Sequence, residues 1–210
     1  LPYNWVATKF SADVTSYHVG HFTSTDGVQR SVIACSAPRM GMAASAVLTT
    51  KICLKFKPKI VAMPGIAAAV KDKAELGDIL VADPSWDWGS GKLTVKKGRV
   101  VLLSEPAQIP LEPGLASIFR TLSVSREYLD EIYVGFKGKR PPHSLSLRVG
   151  PVASGAVVLE DTATVELIQS QNRKTIGVEM EAYGVLSAVF YLGQPDTRAI
   201  VLKSVCDFAD

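Results

Sequence analysis

Three short segments carry residue types that could do chemistry, and each one closes an apolar run. Met63-Pro64-Gly65-Ile66-Ala67-Ala68-Ala69 follows the apolar residues 60–63. Its small side chains let backbone N–H groups approach a ligand directly, although a plain packing turn has the same composition. Val178-Glu179-Met180-Glu181-Ala182 places two carboxylates around a methionine where a strand gives way to a helix. A carboxylate at that step suits the positive end of the helix dipole. It equally suits two neighbouring sugar hydroxyls, because its oxygens accept from two donors at once. Ser204-Val205-Cys206-Asp207-Phe208-Ala209-Asp210 puts Asp207 just beyond an apolar strand. Partial burial there would raise its pKa and keep a proton available for general-acid work. A helix cap or a turn is the plainer role for a lone aspartate.

These segments need elements that bring their ends together. Residues 17–22 and 31–37 flank Asp26-Gly27, a pair suited to a tight hairpin turn. Residues 41–56 are rich in Ala and Leu, with Val47, Leu48, Ile52 and Phe56 near helical spacing and Pro58 just beyond, so a helix is predicted there. Residues 60–63 predict a short strand, with a glycine-alanine turn over 64–69. Strands follow at 79–82 and at 93–95 and 100–103, the last two bracketing Lys97-Gly98 as a second hairpin. Residues 105–114 hold three prolines and predict a loop. Helices are predicted over 115–122 and 161–171, a strand over 175–178 entering a helix over 181–190, and a final strand over 199–203. Short apolar strands alternating with helices give an α/β domain with a largely buried sheet, where ligands collect at strand ends.

Composition narrows the function classes. The 210 residues are 47% hydrophobic and 20% charged, which suits one soluble globular domain with a substantial core. A formal net charge of +3 is too mild for a nucleic-acid binder. Lys96-Lys97-Gly98-Arg99 and Lys137-Gly138-Lys139-Arg140 are local basic clusters; each reads as a solvated loop or as a contact to a phosphorylated ligand. Cys35, Cys53 and Cys206 lie far apart with no metal-ligand spacing, so no metal is expected and reduced thiols in a cytoplasmic setting are. No apolar run approaches the roughly 20 residues that cross a bilayer, so no membrane partner is expected. Residues 1–5 carry no signal-peptide pattern and no initiator Met.

Taken in order, six segments resemble the nucleoside phosphorylase superfamily, especially its methylthioadenosine/S-adenosylhomocysteine nucleosidase branch, over residues 31–210. Arg39-Met40-Gly41-Met42 is similar to the family's early glycine loop and Pro64-Gly65-Ile66-Ala67 to its central one. Gly77-Asp78-Ile79-Leu80-Val81-Ala82-Asp83 is similar to its structural Gly-Asp strand, and Ser154-Gly155-Ala156-Val157-Val158-Leu159 to its base-binding segment. Glu179-Met180-Glu181-Ala182 and Cys206-Asp207-Phe208-Ala209-Asp210 match the two most diagnostic motifs.

The resemblance implies a single α/β domain over residues 1–210 with a central mixed twisted sheet flanked by helices. It implies cleavage of the N-glycosidic bond of a purine nucleoside or nucleotide, without a cofactor, in a homodimer or larger homo-oligomer. Glu181 would bind the ribose hydroxyls with Glu179 beside it, and Met180 would pack on the sugar. Val158 and Leu159 would lie along the purine, with Leu159 offering backbone hydrogen bonds to its edge. Asp207 would be the catalytic acid at N7. Arg39 and Gly41 of the early loop, and Gly65, Ile66 and Ala67 of the central loop, are expected at the substrate. Lys71 and Lys73, with the basic clusters, are candidates for a 5′-phosphate.

Two features depart from the nucleosidase pattern. The strand carrying a water-activating glutamate has no match before Ser31, and the final helix has no match after Asp210, so both are expected to lie outside this chain. Phosphorylases of the bacterial hexameric type carry an Arg two residues before the central loop glycine and a Ser just after it. Here Met63 and Ile66 stand at those positions, and neither donates a side-chain hydrogen bond. Hydrolysis is therefore the expected reaction. Phosphorolysis, with Arg39 as the compensating cation, is the first alternative, and a non-catalytic purine-binding regulatory domain the second.

Overall fold

The computed structural model describes residues 3–11, 13–157 and 161–209, and its internal contacts divide the chain into a first unit ending at Arg39 and a second beginning at Met40. The first unit is a three-stranded antiparallel sheet of β1 (Val6–Thr8), β2 (Tyr17–Thr23) and β3 (Gln29–Ala34), in that spatial order. The turn between β2 and β3 forms at Asp26-Gly27 as expected. Gly27 takes a positive φ of 77°, and Asp26 Oδ1 accepts from the Val28 N–H at 3.1 Å. β3 ends at Ala34, three residues short of the predicted strand.

The second unit contains α1 (Met42–Phe56), β4 (Ile60–Ala69), β5 (Ile79–Asp87), β6 (Gly91–Lys96), β7 (Arg99–Ser104), β8 (Gln108–Ile109), α2 (Pro113–Val124), α3 (Glu127–Gly135), β9 (Leu147–Ser154), α4 (Thr162–Gln171), β10 (Gly177–Glu179), α5 (Ala182–Leu192) and β11 (Arg198–Asp207). Six of these strands form one mixed sheet in the order β11-β4-β10-β9-β5-β8. β11 also pairs with β5, so the twist is enough for five of the strands to close on one another. β4 with β11, β9 with β10 and β5 with β9 run parallel; β10 with β4, β11 with β5 and β8 with β5 run antiparallel.

One expectation fails here. The glycine-alanine run 64–69 is no turn: β4 continues through it, because β11 offers an uninterrupted parallel ladder from Arg198 beside Ile60 to Val205 beside Ala67. β11 likewise runs four residues past its predicted end and delivers Asp207 as a strand residue. The register slips by one at Cys206, a bulge that brings Asp207 beside Ala68.

Helices α1 and α5 brace this end of the sheet. α1 stops where Lys57 adopts the left-handed conformation and its N–H returns to the Cys53 carbonyl, just before Pro58. α1 and α5 cross closely at Gly184, where a Cβ would lie 2.3 Å from the Met42 carbonyl oxygen. Ser45 Oγ stitches the same crossing by donating to the Glu181 carbonyl at 3.1 Å. Behind them, Cys53, Val61, Ala82, Val152, Val185, Leu186 and Val201 form a buried cluster between the helices and the sheet. At the Gly-Asp strand, buried Asp78 accepts from the N–H groups of Glu75 and Ser146 and from Arg148 Nε at 2.9 Å, a structural role as expected. Among the described residues, no helix is long and apolar enough to cross a membrane.

Candidate active site

The ends of β4, β10 and β11 meet around a cavity of about 190 Å³. Ile66, Ala67 and Ala68 line it from β4, Val178 to Glu181 from the β10–α5 step, and Cys206 and Asp207 from β11. Met40 and Val157 complete the wall. A larger cavity of about 490 Å³ lies between residues 109–113, the end of α5 and residues 193–199. Glu112 and Arg198 are its only charged lining residues among those described; they stand 3.9 Å apart, and Glu112 is already the N-cap of α2. Size therefore points away from the chemistry, and the smaller cavity is the candidate site.

The two glutamates of the β10–α5 step do different work. Glu179 is buried and fully engaged. Its carboxylate accepts from the N–H groups of Glu181 (2.8 Å) and Ala182 (2.9 Å) at the start of α5, and from Ser154 Oγ (2.5 Å). Lys203 Nζ lies 2.9 Å from Oε2, the oxygen that also takes the Glu181 N–H. With so many donors around four lone-pair directions, Glu179 anchors the helix end and has little left for a ligand. Ser154 Oγ in turn accepts from the Tyr183 N–H at 2.9 Å, so β9, β10 and α5 are tied at one point.

Glu181 is half-buried with two partners, the Gly41 N–H on Oε1 (3.1 Å) and Lys203 Nζ on Oε2 (3.0 Å). Burial pushes its carboxyl up, but the Gly41 N–H and the Lys203 ammonium outweigh this and hold it below the usual glutamate value. It stays ionised with a lone pair on each oxygen to spare, which is what a pair of vicinal hydroxyls requires.

Asp207 closes β11. It is exposed, so the partial burial expected at this position is absent. Oδ1 accepts from the Ala209 N–H at 3.0 Å, the turn geometry of a short aspartate loop, and Oδ2 accepts from the Cys206 thiol at 2.9 Å. Burial and the neighbouring Asp207 push the Cys206 thiol up to about 11, so it is a neutral donor at physiological pH.

Of the residues expected from the sequence, Ile66, Ala67, Glu179, Met180, Glu181 and Asp207 share this one cavity. Gly41 joins through its N–H, and Gly65 lies beneath the Lys203 side chain. Arg39 belongs to the first unit, and Val158 and Leu159 lie outside the described residues. The basic clusters do not line the cavity: Lys97 and Gly98 make the β6–β7 turn, and Arg140 caps carbonyls at the end of α3. Lys203 was not read as a site residue, and Cys206 stood in its motif without a role. The signal for Lys203 was a charge inside the apolar run Ala199 to Val205.

The model of the phosphorylase superfamily matches residues 6–210. This chain belongs to the phosphorylase superfamily. Protein y4jS of Sinorhizobium fredii is 34% identical over 207 residues, 99% of this chain and 50% of its own length. ATP nucleosidase Cap17 of Escherichia coli is 29% identical over 218 residues, 98% of this chain and 42% of its own length. The chain thus spans half or less of the length of these relatives. Among solved structures, futalosine hydrolase of Helicobacter pylori superposes with a TM-score of 0.72 at 19% identity, covering 100% of this chain and 77% of that one. That likeness shows the superfamily fold, mixed sheet and flanking helices included.

Proposed function

We propose that this chain hydrolyses the N-glycosidic bond of a purine nucleoside or nucleotide, releasing the free base and the ribose moiety. The observation that carries the proposal is the pairing in one cavity of an ionised, partly unsatisfied Glu181 with Asp207 at the adjoining strand end. Glu181 accepts the two ribose hydroxyls while Met180 packs on the sugar. Val157 lines the cavity on the side we assign to the base. As the bond lengthens, positive charge grows on the ribose and negative charge on the base. The contacts to Glu181 strengthen as that positive charge develops. Asp207 supplies a proton or hydrogen bond to N7, so the base leaves, and water adds to the anomeric carbon.

Water is favoured over phosphate because no lysine or arginine is among the described residues lining the cavity. A dianion there would lose its hydration without charge-assisted donors to replace it. The relative named as an ATP nucleosidase supports hydrolysis and brings nucleotides into the substrate range. The same reading carries a homo-oligomer, checked by light scattering, and a reducing cytoplasmic setting, since none of the three cysteines forms a disulfide.

The test is base release over a panel of adenosine, a 5′-alkylthio nucleoside and the adenosine mono- and triphosphates, with and without phosphate. Free base and free ribose product should appear at equal rates in both buffers. Ribose 1-phosphate as the main product, a strict need for phosphate, or no base from any purine would overturn the proposal.

A further inference from the structure

Lys203 lies in the middle of β11, between buried Val201 and Val205, with its side chain 4% exposed. A lysine so deep needs a reason, because an unpaired ammonium in that position is strongly disfavoured. The ladder sets Lys203 beside Gly65 of β4 and Leu80 of β5. A Cβ on residue 65 would lie 3.0 Å from Lys203 Nζ and 3.2 Å from its Cδ, so the lysine stem crosses the space that glycine leaves open. The ammonium then reaches Glu179 Oε2 at 2.9 Å and Glu181 Oε2 at 3.0 Å.

The two carboxylates depend on it unequally. Glu179 keeps Ser154 Oγ and two helix N–H groups if the lysine is removed; among the described residues Glu181 keeps the Gly41 N–H alone. We propose that Lys203 is a positioning residue that holds Glu181 ionised and oriented for the ribose hydroxyls, and that Gly65 lacks a side chain so that the ammonium can reach it. The idea rests on the reading of Glu181 as the sugar-binding carboxylate. The groups facing Glu181 are Glu179 from β10, Lys203 from β11 and, from α1, the Gly41 N–H; Cys206 and Asp207 share the cavity. The first turns of α1 and α5 and the β4 segment 65–69 carry no charged side chain. Without Lys203, burial drives Glu181 towards its protonated form.

The test uses Lys203→Met, Lys203→Arg and Gly65→Ala, with pH profiles of kcat/KM on a purine riboside and its 2′-deoxy analogue. In Lys203→Met, KM for the riboside rises about tenfold or more, the scale of one charge-assisted hydrogen bond, and the deoxy substrate loses less. The acid limb of the profile moves up by about one to three pH units, the effect of removing an adjacent opposite charge. Gly65→Ala moves both in the same direction, and Lys203→Arg returns the limb towards the wild-type position. A carbon NMR titration of the Glu181 carboxyl reads the same shift without substrate. It decides the matter where the wild-type chain releases no base, an outcome that overturns only the functional reading. Circular dichroism confirms folding, and where Lys203→Met does not fold, Gly65→Ala decides. An unmoved Glu181 titration, or an equal loss on both sugars with an unmoved acid limb, overturns the role of Lys203.

Discussion

Replacing Glu179 by glutamine isolates what that carboxylate does for the fold. The side chain keeps its shape, yet the amide has one acceptor oxygen where the carboxylate had two. The Glu181 N–H and the Lys203 ammonium both lie on Oε2, so the amide oxygen best takes that place and the NH₂ then faces the Ser154 hydroxyl and the Ala182 N–H on the Oε1 side, both of them donors to the carboxylate. The ion pair is buried on both sides, with side-chain exposures of 4% for Lys203 and 1% for Glu179. Breaking such a pair by neutralising one partner costs about 3–5 kcal/mol. That is a large share of the roughly 5–15 kcal/mol that holds a domain folded. A chain of this length loses about 2–4 °C of Tm per kcal/mol, so Glu179→Gln should melt about 6–20 °C lower. Urea unfolding at neutral pH, followed by circular dichroism, should show a lower midpoint with an unchanged slope. A loss under about 1 kcal/mol, the range of exposed pairs, would show that the carboxylate does not anchor the start of α5.

Asp207→Asn should lower turnover by about 10²- to 10⁴-fold, because the amide cannot deliver a proton to N7. Near-wild-type rates in the folded variant would remove Asp207 from the acid role. Cys206, pushed up to about 11, should resist iodoacetamide at pH 7 and react as the pH rises towards that value, since alkylation needs the thiolate. Rapid labelling at neutral pH, resolved by peptide mass analysis, would contradict the Cys206–Asp207 hydrogen bond.

What the sequence made legible followed from local rules. The Asp26-Gly27 and Lys97-Gly98 turns, the helix before Pro58 and the helix predicted over 161–171 are fixed within a few residues, and each stands close to where local rules put it. β9 was missed because Arg148, Gly150 and Pro151 interrupt its apolar pattern; β5 and β10 on either side supply the pairing that propensity lacks. α3 was missed as a short, largely exposed helix with only Leu129 buried. The strand character of Gly65 to Ala69 was hidden by composition, since small residues read as a turn until β11 is known to lie alongside. Glu181 and Asp207 were legible as motifs. Their support was not, because the Lys203–Glu179–Glu181 contacts join residues that only the sheet register brings together.

That register also explains how one cavity can favour a charge-separated transition state. β11 carries Lys203 and Asp207 four residues apart, and the bulge at Cys206 separates their surroundings. Lys203 is buried against two carboxylates, whereas Asp207 emerges at the exposed strand end beside a neutral thiol. In the proposed reaction the sugar would therefore meet an anionic wall, since one ammonium faces two glutamates and leaves a net negative charge at Glu181. Such a wall stabilises a cationic ribose more than a neutral one. In the proposed reaction the base would meet Asp207 at the other motif, where negative charge accumulates on the leaving group. A phosphate nucleophile would have to approach the sugar against the charge that stabilises it, and water would not. The proposed preference for hydrolysis and the proposed stabilisation of the oxocarbenium-like state would thus share one electrostatic cause, the placement of Glu181 on the near side of Lys203.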